Sequence, residues 1–165
     1  MTNSPVWQSL RDEATAVASR ERILAKVLTE YVLERSSLED ALSWRLSARL
    51  AKGTVPENDL RGLFHDAYTA DPSIIDSIEH DLEAVKERDP ACDDYLSPFL
   101  YFKGFQALSA FRVAHWLWQQ DRRDLALYLQ SLISVVYGVD IHPAAVIGRA
   151  SCWTTPPGLL PGRPR

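Results

Sequence analysis

Residues 98–123 read PFLYFKGFQALSAFRVAHWLWQQDRR and place apolar side chains at helical spacing, at Phe105, Leu108, Phe111 and Leu117. Residues three or four positions apart share one face of an α-helix. Such a face is typical of a helix that packs in a core or at a subunit interface, and not of one that lines a cofactor. Ser97 and Pro98 are favourable first residues, so we predict one helix that continues to Leu117.

Helical spacing extends to both sides of this stretch, and about seven helices are predicted in residues 1–138. Ser4 and Ser37 supply N-caps, the second with Asp40 at capping-box spacing. Gly53 is predicted to stop a helix in the left-handed conformation, and Gly138 to close the last one. The first three predicted helices cover 5–20, 21–35 and 37–52. The next three begin at Glu57, at Asp71-Pro72 and at Ser97-Pro98, and the second of these ends before Asp89-Pro90. The last predicted helix begins at Asp121.

The helical spacing stops at Asp140. Residues 139–149 read VDIHPAAVIGR, in which Ile141 and Ile147 are six positions apart and Gly148 follows. An aliphatic residue at every sixth position suits a left-handed parallel β-helix, because each flat face takes one hexapeptide. The predicted fold class is therefore mainly α. It comprises a helical domain at 1–138, a short start of a left-handed parallel β-helix at 139–149, and an irregular tail at 150–165.

The composition is that of an ordinary globular domain, with 46% hydrophobic and 24% charged residues. A net charge of −4 gives no electrostatic reason to bind nucleic acid. No apolar stretch is long enough to predict a membrane span, and the N-terminus lacks the pattern of a signal peptide. Cys92 and Cys152 cannot form a disulfide framework or a zinc-ligand pattern, so we expect a cytoplasmic protein without a bound metal.

Two acidic positions have a structural interpretation beside a functional one. Asp89 precedes Pro90, and an Asp-Pro pair commonly ends a helix. Asp140 and His142 lie next to a proline and are typical of a surface loop. From spacing alone, neither aspartate is assigned to a site.

Other polar residues are expected to be structural. His115 lies between apolar helix residues, so we predict a structural histidine with hydrogen-bonded ring nitrogens and not a catalytic one. Lys103 and Arg112 are predicted to form structural ion pairs. The run EHDLEAVKERD, residues 79–89, predicts a solvated helix face. Nothing beside Cys92 predicts a stabilised thiolate.

Three stretches resemble serine O-acetyltransferases: AYTADPSIIDSIEHDLEAVKERDPACDDY at 67–95, PFLYFKGFQALSAFRVAHWLWQQDRR at 98–123, and VDIHPAAVIGR at 139–149. With the helical stretches before them, the resemblance covers nearly all of residues 5–149. The family transfers acetyl from acetyl-CoA to the hydroxyl of L-serine, the first step of cysteine synthesis from serine. The resemblance implies acetyl-CoA as a co-substrate and no tightly bound cofactor. It also implies a helical domain before a left-handed β-helix, trimers formed through the β-helix, and a homo-oligomer in which helical domains pair the trimers.

The resemblance implies roles for two aspartates. A serine hydroxyl needs a general base to take its proton, and histidine has a suitable pKa. In the family, the base is the histidine of an LDHATG segment that follows DIHPAA. Asp140 matches the carboxylate partner of that histidine, and Asp89 matches the aspartate that holds the substrate amine.

The chain departs from the family after Arg149. There the family reads GIMLDHATG, whereas this chain reads ASCWTTPPG. Thr154 and Thr155 stand where the family has aspartate and the histidine base, and threonine cannot act as a base near neutral pH. No histidine follows His142, so we expect this polypeptide to be truncated in its catalytic part and inactive by itself.

A frameshift explains the departure. Suppose that one nucleotide was lost just after the codon of Arg149, so that the original reading frame is offset from the present one. Read in the original frame, the codons of Cys152-Trp153-Thr154 can encode only leucine followed by aspartate. The same shift permits IMLDHATG over residues 151–158. We therefore expect that residues 150–165 are missense and that the catalytic domain was lost downstream.

Three hypotheses follow for the function. The first is a serine O-acetyltransferase with Asp89 and Asp140 as surviving site residues. The second is a non-catalytic helical module that assembles with other helical domains, and the third is a non-functional gene fragment. The absence of the histidine general base favours the second and third hypotheses for this polypeptide. Without its β-helix, the helical domain is also expected to expose an apolar patch near Trp116 and Trp118.

The frameshift hypothesis is tested by sequencing the genomic locus. We expect β-helix coding to resume in another frame immediately after the codon of Arg149. An intact frame with no β-helix coding downstream would contradict the hypothesis, because a lost base leaves the original codons in place.

Overall fold

The structure, a computed structural model, describes residues 4–151. They form a helical domain followed by a non-helical segment. The helices are α1 (Pro5–Arg20), α2 (Arg22–Leu28), a π-helical turn (Thr29–Leu33), α3 (Leu38–Leu50), α4 (Glu57–Ala70), α5 (Ser73–Arg88), α6 (Leu96–Tyr101), α7 (Lys103–Gln119) and α8 (Arg123–Tyr137).

Local sequence signals set several helix ends. The Oγ of Ser4 accepts the N–H of Trp7 at 3.1 Å and begins α1. The Oγ of Ser37 accepts the N–H of Asp40 at 3.3 Å and begins α3. Gly138 ends α8 with a φ of 73°, a left-handed conformation that glycine adopts without a steric penalty. All three predicted ends are confirmed.

Helix α7 is the centre of the core. Every residue from Gly104 to Ala114 is buried, and α7 packs against α4, α5, α6 and α8. A helix that is buried on all sides belongs to the interior of a domain. The apolar stripe from Phe105 to Leu117 is therefore a core feature, which confirms one of the two predicted roles.

The single helix predicted from Ser97 to Leu117 is wrong, because the chain breaks at Phe102 into α6 and α7. A break leaves the last carbonyl oxygens of α6 without helical partners. Gln106 Nε2 donates to the oxygen of Phe99 at 3.0 Å, and the guanidinium of Arg45 donates to that of Leu100. The second donor comes from α3, so its contribution cannot be read from local spacing.

The predicted helix over 21–35 is also interrupted. It consists of α2 and a π-helical turn, in which the N–H of Glu34 donates to the oxygen of Thr29 at 3.0 Å. A π-helical turn contains one extra residue, and it shifts the side chains that follow around the helix axis.

Gly53 does not have the left-handed conformation predicted for it. Helix α3 ends at Leu50, and among the described glycines only Gly138 has a positive φ. A Cβ atom on Gly53 would lie 2.8 Å from the hydroxyl oxygen of Tyr128 on α8. A side chain at this position would displace the end of the Tyr128 side chain, and the backbone conformation of Gly53 does not itself require glycine.

Residues 139–151, which we call the strap, leave α8 at Gly138. Val139 is buried and Ile141 packs against the core. No part of the described strap is a strand, so the β-helix start at 139–149 and the domain boundaries stay predictions. A single coil of a β-helix has no neighbouring coil with which to pair. The predictions for Cys152, Trp153 and the two threonines that follow lie outside the described residues.

No helix in the part of the chain that the structure describes is long and apolar enough to cross a membrane.

Glu13 of α1 caps α6 from another part of the chain. Its Oε2 accepts the N–H groups of Tyr95 and Leu96, each at 2.9 Å. Burial raises the pKa of Glu13, and these two hydrogen bonds oppose the shift without cancelling it. The protonated side chain is thus favoured by folding. Its contribution to stability is present below the unfolded-state pKa and is lost as pH rises through the folded-state pKa.

Replacing Glu13 separates these effects. Glu13→Ala leaves two N–H groups without an acceptor, and we expect a loss of about 2 kcal/mol in the free energy of unfolding. Glu13→Gln retains an oxygen that accepts both, so it should be more stable than the parent at pH 7, with the difference vanishing below about pH 4. Urea unfolding at both pH values measures this, with Glu87→Ala on the exposed face of α5 as the control. Equal losses for Glu13→Ala and Glu87→Ala would contradict the capping role.

Candidate functional site

The strap is fixed to α7 by a histidine and a tryptophan. His115 Nδ1 lies 2.7 Å from the oxygen of Pro143, and Nε2 lies 3.0 Å from the amide nitrogen of Gln119. Because a carbonyl only accepts, Nδ1 carries the hydrogen and Nε2 accepts from the amide. His142 of the strap packs edge-on against Trp118, with ring centroids 4.8 Å apart. The structural role predicted for His115 is therefore confirmed.

The exposed patch expected near Trp116 and Trp118 is not found. Both indoles are half-buried and pack against the core. Among the described residues, the large exposed apolar side chains lie elsewhere, at Ile23, Tyr101, Leu127, Val135 and Val146.

Asp140, the predicted carboxylate partner of a histidine base, is exposed at the start of the strap. Its Oδ1 accepts the side-chain N–H of Gln130 on α8 at 2.7 Å. The nearby His142 uses Nδ1 to accept the N–H of Ala144 at 3.1 Å. Within residues 4–151, the hydrogen-bond partner of Asp140 is thus an amide and not an imidazole.

Asp89, the predicted substrate-amine residue, lies in the turn after α5. Its Oδ1 accepts the N–H of Ala91 at 3.0 Å, and its carbonyl oxygen accepts that of Cys92 at 3.0 Å. This is the turn-forming role that the Asp-Pro pair predicts. The preceding Arg88 donates to the carbonyl oxygen of Ala150 at 2.8 Å, so this turn lies beside the far end of the strap. No hydrogen bond among the described residues joins Asp89 to Asp140.

A buried ion pair connects α5, α7 and the strap. Arg112 donates from Nε and Nη2 to both carboxylate oxygens of Asp81, at 2.8 and 2.9 Å. Arg112 Nη2 also donates to the oxygen of Gly148 at 3.0 Å, and Asp81 Oδ1 accepts the N–H of Ser151 at 2.9 Å. Asp81 is 1% exposed and Arg112 is 9% exposed. Burial raises the pKa of Asp81, and the guanidinium and the Ser151 N–H act against that shift.

These contacts confirm one expectation and correct two. Arg112 forms the predicted ion pair. Lys103 is exposed and forms no ion pair within the described residues. The run 79–89 is not a uniformly solvated face, because Asp81 is buried within it. Its spacing from Ile74, Ile78 and Val85, which are also buried, was the signal that places Asp81 on the apolar side of α5.

A cavity of about 310 Å³ opens between α5, α7 and the strap. Asp71 and His115 line it, but their polar atoms are already engaged: Asp71 accepts from the Oγ of Ser73 at 2.6 Å, and His115 contacts Pro143 and Gln119. Elsewhere, burial raises the pKa of the Cys92 thiol, which donates to the oxygen of Asp94 at 3.2 Å. Neither the cavity nor Cys92 has the features of a reactive centre.

Ala150 has a φ of 57°, in the left-handed region that favours glycine. The resemblance to serine O-acetyltransferases implies glycine at this position. The carbonyl oxygen of Ala150 and the N–H of Ser151 are held by Arg88 and Asp81. A side chain in this conformation costs about 1–2 kcal/mol, and it persists when the surrounding contacts require it.

The fold and the site define a helical domain that holds a non-helical segment, with Asp140 at the start of this segment and the buried Asp81 of α5 bonded to its far end. The family model "Serine acetyltransferase, N-terminal" matches residues 6–110. The serine acetyltransferase of Haemophilus influenzae is 43% identical over 157 residues, which are 95% of this chain and 59% of the relative. The chain therefore spans about three fifths of the length of that relative.

Solved structures agree. A serine acetyltransferase in complex with CoA has a TM-score of 0.86 and 46% identity, covering 88% of this chain and 61% of that chain. Soybean serine acetyltransferase complexed with serine has a TM-score of 0.85 and 46% identity, covering 88% and 60%. This chain belongs to the serine acetyltransferase family.

Replacing Ala150 with glycine should relieve the unfavourable φ. We expect Ala150→Gly to favour the docked strap by about 1 kcal/mol, or about fivefold, which slows hydrogen exchange at the amide of Ser151 by the same factor. Nuclear magnetic resonance of the labelled chain measures this exchange. Ala145→Gly, in the same strap but without a positive φ, is the control and should speed exchange instead. Faster exchange in Ala150→Gly would contradict the assigned conformation.

Proposed function

We propose that this chain is the helical domain of an enzyme that transfers acetyl from acetyl-CoA to the hydroxyl of L-serine, the first step of cysteine synthesis. Membership of the serine acetyltransferase family carries the proposal. Relatives solved with CoA and with serine support these two substrates. Acetyl-CoA enters as a co-substrate, and the reaction takes place in the cytoplasm.

In this proposal the two aspartates have separate tasks. Asp140 orients a histidine base and stabilises the imidazolium that forms when the serine hydroxyl loses its proton. Its position supports this role, since Gln130 bonds to Oδ1 and no described residue bonds to Oδ2. Asp89 binds the substrate ammonium through the carboxylate oxygen that the turn does not use. In the family the histidine follows the strap, at the position of Thr155.

We propose further that the 165-residue polypeptide does not catalyse this reaction alone and acts as an assembly module, as a homo-oligomer through its helical domain. The surroundings of Asp140 support the first part: within residues 4–151 its carboxylate bonds to Gln130 and to no histidine. A core that extends from α1 to α8 supports independent folding of the helical domain, which the second part requires. The β-helix that begins at residues 139–149 remains part of the proposal.

A chimera tests the chemistry. Residues 1–149 are joined to the remaining C-terminal part of the Haemophilus influenzae relative, and CoA release from acetyl-CoA and L-serine is measured as free thiol. We expect turnover of order 1–1000 per second for the chimera and none for the 165-residue polypeptide. Asp140→Asn in the chimera should lower kcat by about 10⁴-fold, and Asp89→Asn should mainly raise KM for serine.

Each part of the proposal has its own contrary result. Turnover by the polypeptide alone would refute its inactivity. A folded chimera without turnover would count against the proposed reaction. Sedimentation of the polypeptide as a monomer at micromolar concentration would refute the assembly role.

A further inference from the structure

A cavity of about 260 Å³ lies between the start of α3 and the last turns of α4. We call it the α3–α4 cavity, and it is lined by Ser36, Ser37, Glu39, His65, Tyr68 and Thr69. None of these residues belongs to the strap. We propose that the α3–α4 cavity binds a small organic cation of the amidinium or guanidinium class, through the carboxylate of Glu39 and the hydroxyl of Tyr68.

Tyr68 supplies a buried polar atom that lacks a partner. Its side chain is 3% exposed and packs in the core beside Phe64. The hydroxyl oxygen is buried and forms no hydrogen bond with any residue that the structure describes. Leaving a buried hydroxyl unbonded is costly, so such an atom indicates that a ligand or an ordered water molecule bonds to it.

The hydroxyl end of Tyr68 lies toward the cavity. Burial raises the pKa of Tyr68, and among the charged neighbours the carboxylate of Glu39 adds most to this shift. Because such an interaction weakens with distance, the hydroxyl lies near Glu39, which itself lines the cavity. The two groups do not bond to each other, since the hydroxyl has no partner among the described residues. A ligand between them can therefore bond to both.

The charge of the cavity favours a cation. The described residues that line it include one carboxylate, that of Glu39, and no lysine or arginine. This carboxylate forms no ion pair within residues 4–151. Burial raises the pKa of Glu79 on α5, and the neighbouring carboxylates of Asp76 and Glu39 raise it further. Negative charge is thus concentrated here, and electrostatic complementarity favours a positively charged occupant.

A neighbouring cavity of about 340 Å³ shares His65 but already contains a cation. It is lined by Arg61 as well as Asp40, and the guanidinium of Arg61 donates to the carboxylate of Glu57 at 2.6 Å. Both signs of charge are therefore present in that cavity. The carboxylate of Glu39 has no such counterpart in the α3–α4 cavity, which distinguishes the two.

The two polar groups suit a planar cation. A carboxylate accepts two parallel N–H groups from an amidinium or a guanidinium, and a phenol oxygen accepts a further one. Ser36, His65 and Thr69 are exposed, so a ligand can enter the cavity from solvent. Drug-sized ligands occupy about 300–1,000 Å³, so a volume of about 260 Å³ limits the occupant to a small molecule.

Benzamidinium tests the site on the 165-residue chain, with neutral benzamide as the control ligand. Nuclear magnetic resonance of the labelled chain follows each addition, and we expect saturable shifts at Tyr68 and Thr69 with benzamidinium. Benzamide should bind at least about tenfold more weakly, because it has no charge for Glu39. Glu39→Gln should weaken benzamidinium binding by about tenfold for the same reason. Glu87→Gln removes one charge from the exposed face of α5 and should change the Kd by less than about twofold.

Tyr68→Phe distinguishes a ligand from an ordered water molecule. If the hydroxyl has no partner in the free protein, its removal should leave the midpoint of urea unfolding unchanged or raise it. Binding of benzamidinium should weaken by about threefold to tenfold, because the ligand loses one acceptor. A variant that unfolds at lower urea and binds benzamidinium as the parent does would show that water satisfies the hydroxyl, and would overturn the inference.

Three further results would also overturn it. They are the absence of saturable shifts with benzamidinium, equal binding of benzamidinium and benzamide, and equal effects of Glu39→Gln and Glu87→Gln. The last would assign the binding to the net charge of the chain. Circular dichroism checks that each variant keeps its helices. These outcomes are independent of the chimera, whose failure would remove the proposed reaction and leave this site unaffected.

Discussion

The buried pair of Asp81 and Arg112 is the interaction on which the position of the strap depends, because it joins the helical core to residues 148–151. Its two helices supply opposite charges, and each charge also bonds to the strap backbone. Removing either partner would leave the other buried and uncompensated, which costs about 3–5 kcal/mol. The orientation of residues 148–151 is therefore coupled to the packing of α5 against α7, and any change in that packing reaches the strap directly.

Features set by neighbouring residues could be predicted from the sequence, and features set by distant ones could not. Ser4, Ser37 and Gly138 set helix ends through contacts within a few residues, so composition and spacing were sufficient. At the break at Phe102, one carbonyl oxygen of α6 is bound by the guanidinium of Arg45, which lies far away in the sequence. Gly53 was predicted to be left-handed, which is wrong, and its close neighbour is the hydroxyl of Tyr128 on α8, which the local sequence does not indicate.

The residues of the candidate site also differ in whether the sequence could indicate them. Asp89 and Asp140 were identified through a resemblance, and their family roles stay predictions. Gln130 and Arg88 were missed because each acts through one contact with a residue of the strap, which the spacing within its own helix does not indicate. Asp81 was recoverable from the sequence, since it shares the buried side of α5 with Ile74, Ile78 and Val85. Charged runs therefore have to be checked against the apolar spacing before they are assigned to a solvated face.

Ala150 is the first residue at which this chain departs from the family pattern, and its backbone conformation is unusual for alanine. The resemblance implies glycine at this position, and the backbone here has a φ of 57°. A left-handed residue held by Arg88 and Asp81 gives a physical reason for that glycine, since any side chain adds steric cost there. Alanine at this position is therefore a residue that the local conformation disfavours. It is also the first residue of the stretch that the frameshift hypothesis assigns to missense.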